Sequence, residues 1–148
     1  VEATAVQVYI CDFIYRLVSF GCEFDSNALL LLLSSLEPKD DVSVTGLKGK
    51  GIIGLMRFWL LAIPSFKAVQ RADGILFWEV KTIKGWHHTL TVWETPKHMM
   101  AYRKSPSHLK AMKAFPSIAV GKVHGYDASK VPTWEEALRE YEEHGRVV

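Results

Sequence analysis

Two runs of strand-forming residues, Ile75–Ile83 and Trp86–Glu94, are separated by Lys84 and Gly85 alone. Both runs are rich in Trp, Phe, Val, Ile and Thr, and a two-residue connection whose second position tolerates positive φ selects a tight hairpin. If Ile83 faces Trp86, then Lys81–His88, Glu79–Leu90 and Phe77–Val92 share one face of the pair. Thr82–His87, Val80–Thr89, Trp78–Thr91 and Leu76–Trp93 share the other. Neither face is plainly polar, so a sheet built on this hairpin has to be covered on both sides.

The flanking segments supply the rest of a sheet and its helices. Val42-Ser43-Val44-Thr45 alternates as a first strand after a polar linker, Pro38 to Asp41. The glycine-rich stretch Gly46–Gly51 fits neither the P-loop nor the dinucleotide fingerprint, and reads as a strand-to-helix connection. Ile52–Ile63 forms an apolar helix broken or kinked at Pro64, with residues 65–71 as its tail and Asp73-Gly74 as its stop. After the hairpin, Thr95 is an N-cap with Pro96 at the first helical position, and Ser105 caps a second helix over Ser107–Phe115. Ser117–Tyr126 alternates again as a fourth strand, and Thr133-x-x-Glu136 has capping-box spacing for a C-terminal helix anchored by Trp134, Leu138 and Tyr141. The order strand, helix, strand, strand, helix, strand is the split βαβ of a ferredoxin-like α+β domain with a four-stranded antiparallel sheet.

Residues 1–40 are expected to be a helical extension of the domain 41–148. Val6, Ile10, Phe13, Ile14, Leu17 and Val18 recur at helical spacing, and Asp25-Ser26 precede a second apolar run, residues 28–33, that includes five consecutive leucines. Five leucines in a row cannot share one helix face, so this segment is either sandwiched or in contact with another molecule. Neither run reaches the roughly 20 residues a bilayer span needs. Ile10, Phe13, Leu17 and Leu31, with Trp59 on the apolar helix, are the candidate docking residues. Cys11 and Cys22, with no companions at metal spacing, are read as free thiols; a disulfide requires Gly21 to turn the chain back, because a continuous helix would hold their Cα atoms about 16 Å apart, beyond the roughly 7 Å a disulfide allows. A chain starting at Val1 fits a processed or a truncated protein. The net charge of +2 and scattered lysines and arginines leave no basic stripe for nucleic acid.

The stretch Thr89-Leu-Thr-Val-Trp-Glu94, then Lys97–Tyr102, Arg103–His108 and Leu109–Met112, resembles the signature of antibiotic-biosynthesis-monooxygenase-like domains. These belong to the dimeric α/β-barrel superfamily, and spheroidene-monooxygenase-like domains are among the relatives. The resemblance spans roughly Asp41 to Tyr126. It implies the ferredoxin-like fold and a face that meets a second copy, while its functions range over cofactor-free monooxygenases, haem-degrading enzymes and isomerases. The haem-degrading relatives carry Trp where this chain has Tyr102, and the iron-ligating His where it has Met112. Haem degradation is therefore not expected, although haem or pigment contact stays open; His108 could take the ligand's place only from the pocket side.

Leu90 and Val92, with Val42 and Val44, are expected to back onto the domain's own helices. The opposite face then presents Trp78, Thr89, Thr91 and Trp93, with His87, Tyr102 and His108 nearby, as a ligand pocket or an interface. His87 and His88 are adjacent on a strand and point to opposite faces, so they cannot share one ion, and no metal site is expected. Glu79 and Glu94 are candidate acid–base groups, Glu94 being better placed to fix a helix entry. Two functions follow. In the first, the domain is a non-catalytic accessory subunit that docks through apolar helices on a larger complex, at a membrane such as that of a plastid. The alternative is a cofactor-independent monooxygenase-like enzyme, or binder, for a small aromatic or polyene molecule. A protein partner or a homodimer is expected under either.

Overall fold

A computed structural model of the chain describes residues 39–148. The chain divides between Glu37 and Pro38, and the expected docking residues Ile10, Phe13, Leu17 and Leu31, with Cys11 and Cys22, lie outside the described residues. The remaining elements follow in order: β1 (Asp40–Gly49), α1 (Gly51–Val69), β2 (Ile75–Ile83), β3 (Trp86–Trp93), α2 (Pro96–Arg103), α3 (Pro106–Ile118), β4 (Ala119–Ala128), α4 (Trp134–His144) and β5 (Arg146–Val147). The sheet order is β2-β3-β1-β4-β5, with every neighbouring pair antiparallel. This is the ferredoxin-like split βαβ with one short strand more than the four expected. Gly145 turns the chain after α4 so that Arg146 and Val147 pair with Val123 and Lys122.

The hairpin forms as the residue pattern requires. Lys84 and Gly85 both take positive φ, and the pairs run from Ile83↔Trp86 to Phe77↔Val92 in the expected register. One pair differs. A bulge between Ile75 and Phe77 sets Ile75, not Leu76, opposite Trp93, and leaves Leu76 half exposed.

Helix boundaries show where local signals were overridden. β1 runs on to Gly49, so Gly46 and Leu47 belong to the strand rather than to a turn. Gly46 is required by packing: a Cβ there would meet the ring of Tyr141 and the imidazole of His88. Pro64 lies inside α1 without ending it. The carbonyl it leaves unbonded is that of Leu60, on the exposed side of the helix, where water can serve it. The caps are as expected: Thr95 and Ser105 accept from the backbone N–H groups of His98 and His108, and Thr133 and Glu136 form a reciprocal capping box.

The faces of the sheet are the reverse of the expectation. Val42, Val44, Leu90 and Val92, all fully buried, pack with Ala137 and Tyr141 of the C-terminal helix α4. The other face lies under α1, α2 and α3, where Leu47 joins Phe58, Leu61, Ala114, Phe115 and Ile118. Alternation decides which residues share a face, whereas the right-handed crossover from β1 through α1 to β2 decides which face the helix covers. Trp93, Thr91 and Trp78 therefore lie on the side of the domain's own long helices, with Trp93 fully buried.

Candidate active site

Directly opposed residues on β1 and β3 share a face, so Asp41, Ser43, Thr45 and Leu47 stand beside Trp93, Thr91, Thr89 and His87 on the side toward α1–α3. On β4 the same face carries Asp127 and Gly125, and a Cβ at Gly125 would meet nothing closer than the Val42 carbonyl. The middle of a sheet face covered by helices is usually apolar. Here it is Ser43, Thr45, Thr89, Thr91 and Gly125. Such a floor carries hydroxyl groups, with Leu47, His87 and Trp93 toward its ends.

At one end, three aromatic groups from three elements meet. The ring of Trp93 stacks on Tyr102 of α2 at 5.3 Å, and Tyr102 lies 4.8 Å from the ring of His108 on α3. Trp93 Nε1–H donates to Thr91 Oγ1 at 3.0 Å, and Thr91 Oγ1–H donates to the Ser43 carbonyl at 3.3 Å. The Tyr102 hydroxyl lies 2.9 Å from Ser65 Oγ on the buried side of α1. Burial raises the Tyr102 pKa and the Ser65 hydrogen bond partly offsets this, so the phenol stays protonated, and its O–H donates to the Ser65 carbonyl at 3.3 Å. His108 Nδ1 lies 3.2 Å from the Arg103 carbonyl, which can only accept, so Nδ1 carries the proton. Burial, the largest cause, holds His108 below its usual pKa, with the Arg103 charge acting in the same direction. The imidazole is thereby neutral near neutral pH, and its Nε2 keeps a lone pair.

Asp41 is the group that the sequence did not single out. It is 7% exposed, and its Oδ2 has no hydrogen-bond partner among the described residues. Burial raises its pKa; Asp127 raises it further and Arg103 draws it back. Read as the end of a linker, it is in fact the second residue of β1, and stepping back two from Ser43 would have placed it on this face. Ser65 was equally hidden, because the expected break at Pro64 put it in a tail.

The other candidate residues fall around this center. Trp78 pairs with Thr91 across the hairpin and meets Phe66 of α1 edge-on at 5.0 Å. His87 sits at the far end, stacked on Phe58 at 5.4 Å and 4.8 Å from Trp59, with Nδ1 3.0 Å from Thr82 Oγ1. Trp59 is thus both a wall for His87 and partly exposed. His88 points the opposite way, buried against Tyr141. Glu94 meets His98 one helical turn on, and Glu79 accepts from Trp134 Nε1 on the far face, so neither faces this site. Met112 is 45% exposed, whereas His108 lies inward against Tyr102. Among the described residues no three His, Cys, Asp or Glu side chains are arranged to hold a metal ion.

No family model matches the chain, and no curated protein matches it in sequence. Solved structures do. SnoaB, a cofactor-independent oxygenase from Streptomyces nogalater, aligns with a TM-score of 0.51 at 12% identity, over 61% of this chain and 93% of its own. A Deinococcus radiodurans protein that carries the provisional description antibiotic biosynthesis monooxygenase aligns with a TM-score of 0.53 at 18% identity, over 63% and 96%. Rv0793 from Mycobacterium tuberculosis aligns at 0.52 and 11% identity, over 64% and 98%. The fold is that of the antibiotic biosynthesis monooxygenases. At these identities the likeness belongs to the antibiotic biosynthesis monooxygenase backbone and not to side chains, so the Trp93–Tyr102–His108 set and Asp41 have to be argued from this chain alone.

Proposed function

We propose that this domain is a monooxygenase-like enzyme that holds a small, flat aromatic or polyene molecule against the hydroxyl-bearing side of its sheet and lets it react with dioxygen without a bound cofactor. The observation that supports this is the floor itself: Ser43, Thr45, Thr89, Thr91 and Gly125 occupy positions where a core would carry apolar side chains. A ring seated there would lie between Trp93 and the helices. The hydroxyls and the Tyr102–Ser65 pair would fix its polar edge, and the surrounding aromatic groups would exclude water. The test is oxygen uptake by pure protein with 1,4-naphthohydroquinone, alongside quenching of tryptophan fluorescence by the unreactive quinone menadione. Saturable uptake above autoxidation, with saturable quenching, is expected. Neither effect at millimolar probe would end this reading.

A second reading, an accessory subunit docking on a partner protein or a membrane complex, has its own support. Ile52, Ile53, Met56, Leu60 and Ile63 of α1 are 80%, 76%, 64%, 71% and 49% exposed. They form one stripe opposite the buried Gly54, Phe58, Ser65 and Val69. This helix is long and apolar enough by composition to cross a membrane, yet its Phe58 side is committed to the sheet. Native purification that brings down one stoichiometric companion, lost on Met56→Glu/Leu60→Glu substitution, would favor docking. A lone, active protein would favor the enzyme.

A further inference from the structure

We propose that Asp41 is the group that takes the proton from a ring hydroxyl of the bound molecule, at the corner where β1 and β3 meet α2. This rests on the oxygenase reading of the same site and adds the residue that starts the reaction. Asp41 stands directly across from Trp93, on the face that carries Ser43 and Thr91. Its carboxyl is buried with one oxygen unpartnered among the described residues, an arrangement that costs stability unless something else meets that oxygen. The charged groups facing it are Asp127 from β4 and Arg103 from the end of α2. Asp127 disfavors a second negative charge beside it and so makes Asp41 a stronger base. Arg103 acts the other way and favors the ionised form. A carboxylate whose proton affinity is raised toward the working pH is the kind of base that accelerates proton removal.

The substrate this implies is an aromatic ring bearing an ionisable hydroxyl, with the reacting electrons in the ring itself. The hydroxyl O–H bond breaks, its proton goes to Asp41 Oδ2, and the electron pair stays on the substrate oxygen. The resulting anion is electron-rich enough to reduce dioxygen. With 1,4-naphthohydroquinone, one atom of dioxygen enters the ring to give 2-hydroxy-1,4-naphthoquinone and the other leaves as water, so the substrate supplies all four electrons. Tyr102 donates its one O–H to the Ser65 carbonyl at 3.3 Å, and would serve the developing oxygen charge only by exchanging that partner for the substrate.

The experiment is the pH profile of kcat for naphthohydroquinone oxygenation by the full chain and by Asp41→Asn and Asp41→Glu. The wild-type profile is expected to fall on the acid side through a pKa above the usual carboxylate range. Asp41→Asn is expected to lose about 10²-fold in kcat together with that acid limb, while Asp41→Glu keeps the limb at a lower rate. Menadione quenching should be unchanged in both variants, which separates lost proton transfer from lost binding or folding. Full kcat and an intact acid limb in Asp41→Asn would overturn the assignment and leave the oxygenase reading standing. A wild-type protein that neither quenches nor turns over would remove both.

Discussion

The two faces of this sheet are built from the same strands and one residue apart, yet they do opposite things. The face under α4 holds Val42, Val44, Leu90 and Val92 without any exposed surface. The face under α1–α3 carries Ser43, Thr45, Thr89 and Thr91 in the same stretch, with Asp41, one of whose carboxyl oxygens has no partner among the described residues, at its end. Both sides bury apolar side chains, Trp93, Phe58 and Ile118 among them under α1–α3. The middle of the side covered by α4 is apolar, whereas the middle of the side covered by α1, α2 and α3 carries hydroxyls and a carboxyl. Functional sites commonly break local packing rules at a cost carried elsewhere in the molecule, and here the division falls across a single sheet.

The contrast predicts different losses from matched truncations. Leu90→Ala empties a fully buried position beneath Tyr141 and should cost about 3 kcal/mol in urea unfolding. Thr89→Ala, one residue earlier, on the hydroxyl-bearing face and only partly buried, should cost less than about 1 kcal/mol. Equal losses at the two positions would mean that both faces are packed alike. Thr91→Val probes the polar face more sharply. It keeps the shape but removes the acceptor of the buried Trp93 Nε1–H, and should cost about 2 kcal/mol with a shift in tryptophan emission.

Much of this architecture was legible in the residues, because hairpin register, caps and alternation are local. Ile83 opposite Trp86, Thr95 and Ser105 as caps, and the Thr133–Glu136 box all follow from neighbors a few residues apart. Which face the long helices cover is set by crossover handedness and by competition with α4, and no local pattern carries it. The site suffered accordingly. Trp93, Thr91, Tyr102 and His108 were singled out as a group, but on a face assigned to outside company. Asp41 was lost because a charged residue beside a proline-containing linker resembles linker, and its meaning comes only from Trp93 and Arg103 across space.

Acid should act on both faces at once, through different groups. Burial lowers the pKa of His88 beneath α4 and of His108 on α3, against Tyr102. A histidine held below its usual value binds fewer protons folded than unfolded, so stability is complete above about pH 6.5 and is lost as pH falls through that value toward the lowered one. Asp41 acts in the opposite sense. Its raised pKa means that the folded state binds more protons than the unfolded state above pH 3.8, so its contribution declines as pH rises through that window. His88→Leu should flatten the acid limb of a melting-temperature profile, and Asp41→Asn should raise the melting temperature at neutral pH. An unchanged limb in His88→Leu would mean that protonation near pH 6.5 does not act through the α4 face.

The smallest effect concerns how α4 is held, because the apolar face depends on that helix. Thr133 accepts from the Glu136 N–H, and the Glu136 carboxylate accepts from the Thr133 N–H at 2.7 Å, so two otherwise open donors at the helix start are satisfied reciprocally. The same contacts hold the Glu136 carboxyl below its usual pKa. Thr133→Ala should cost about 1 kcal/mol and loosen α4 without touching the hydroxyl-bearing face. Amide exchange should therefore quicken at Leu90 and Val44 more than at Ser43 and Thr91, since only the former pair lies beneath this helix. Equal quickening at all four would mean that the faces unfold as one unit, and the division of labor between them would then be chemical but not energetic.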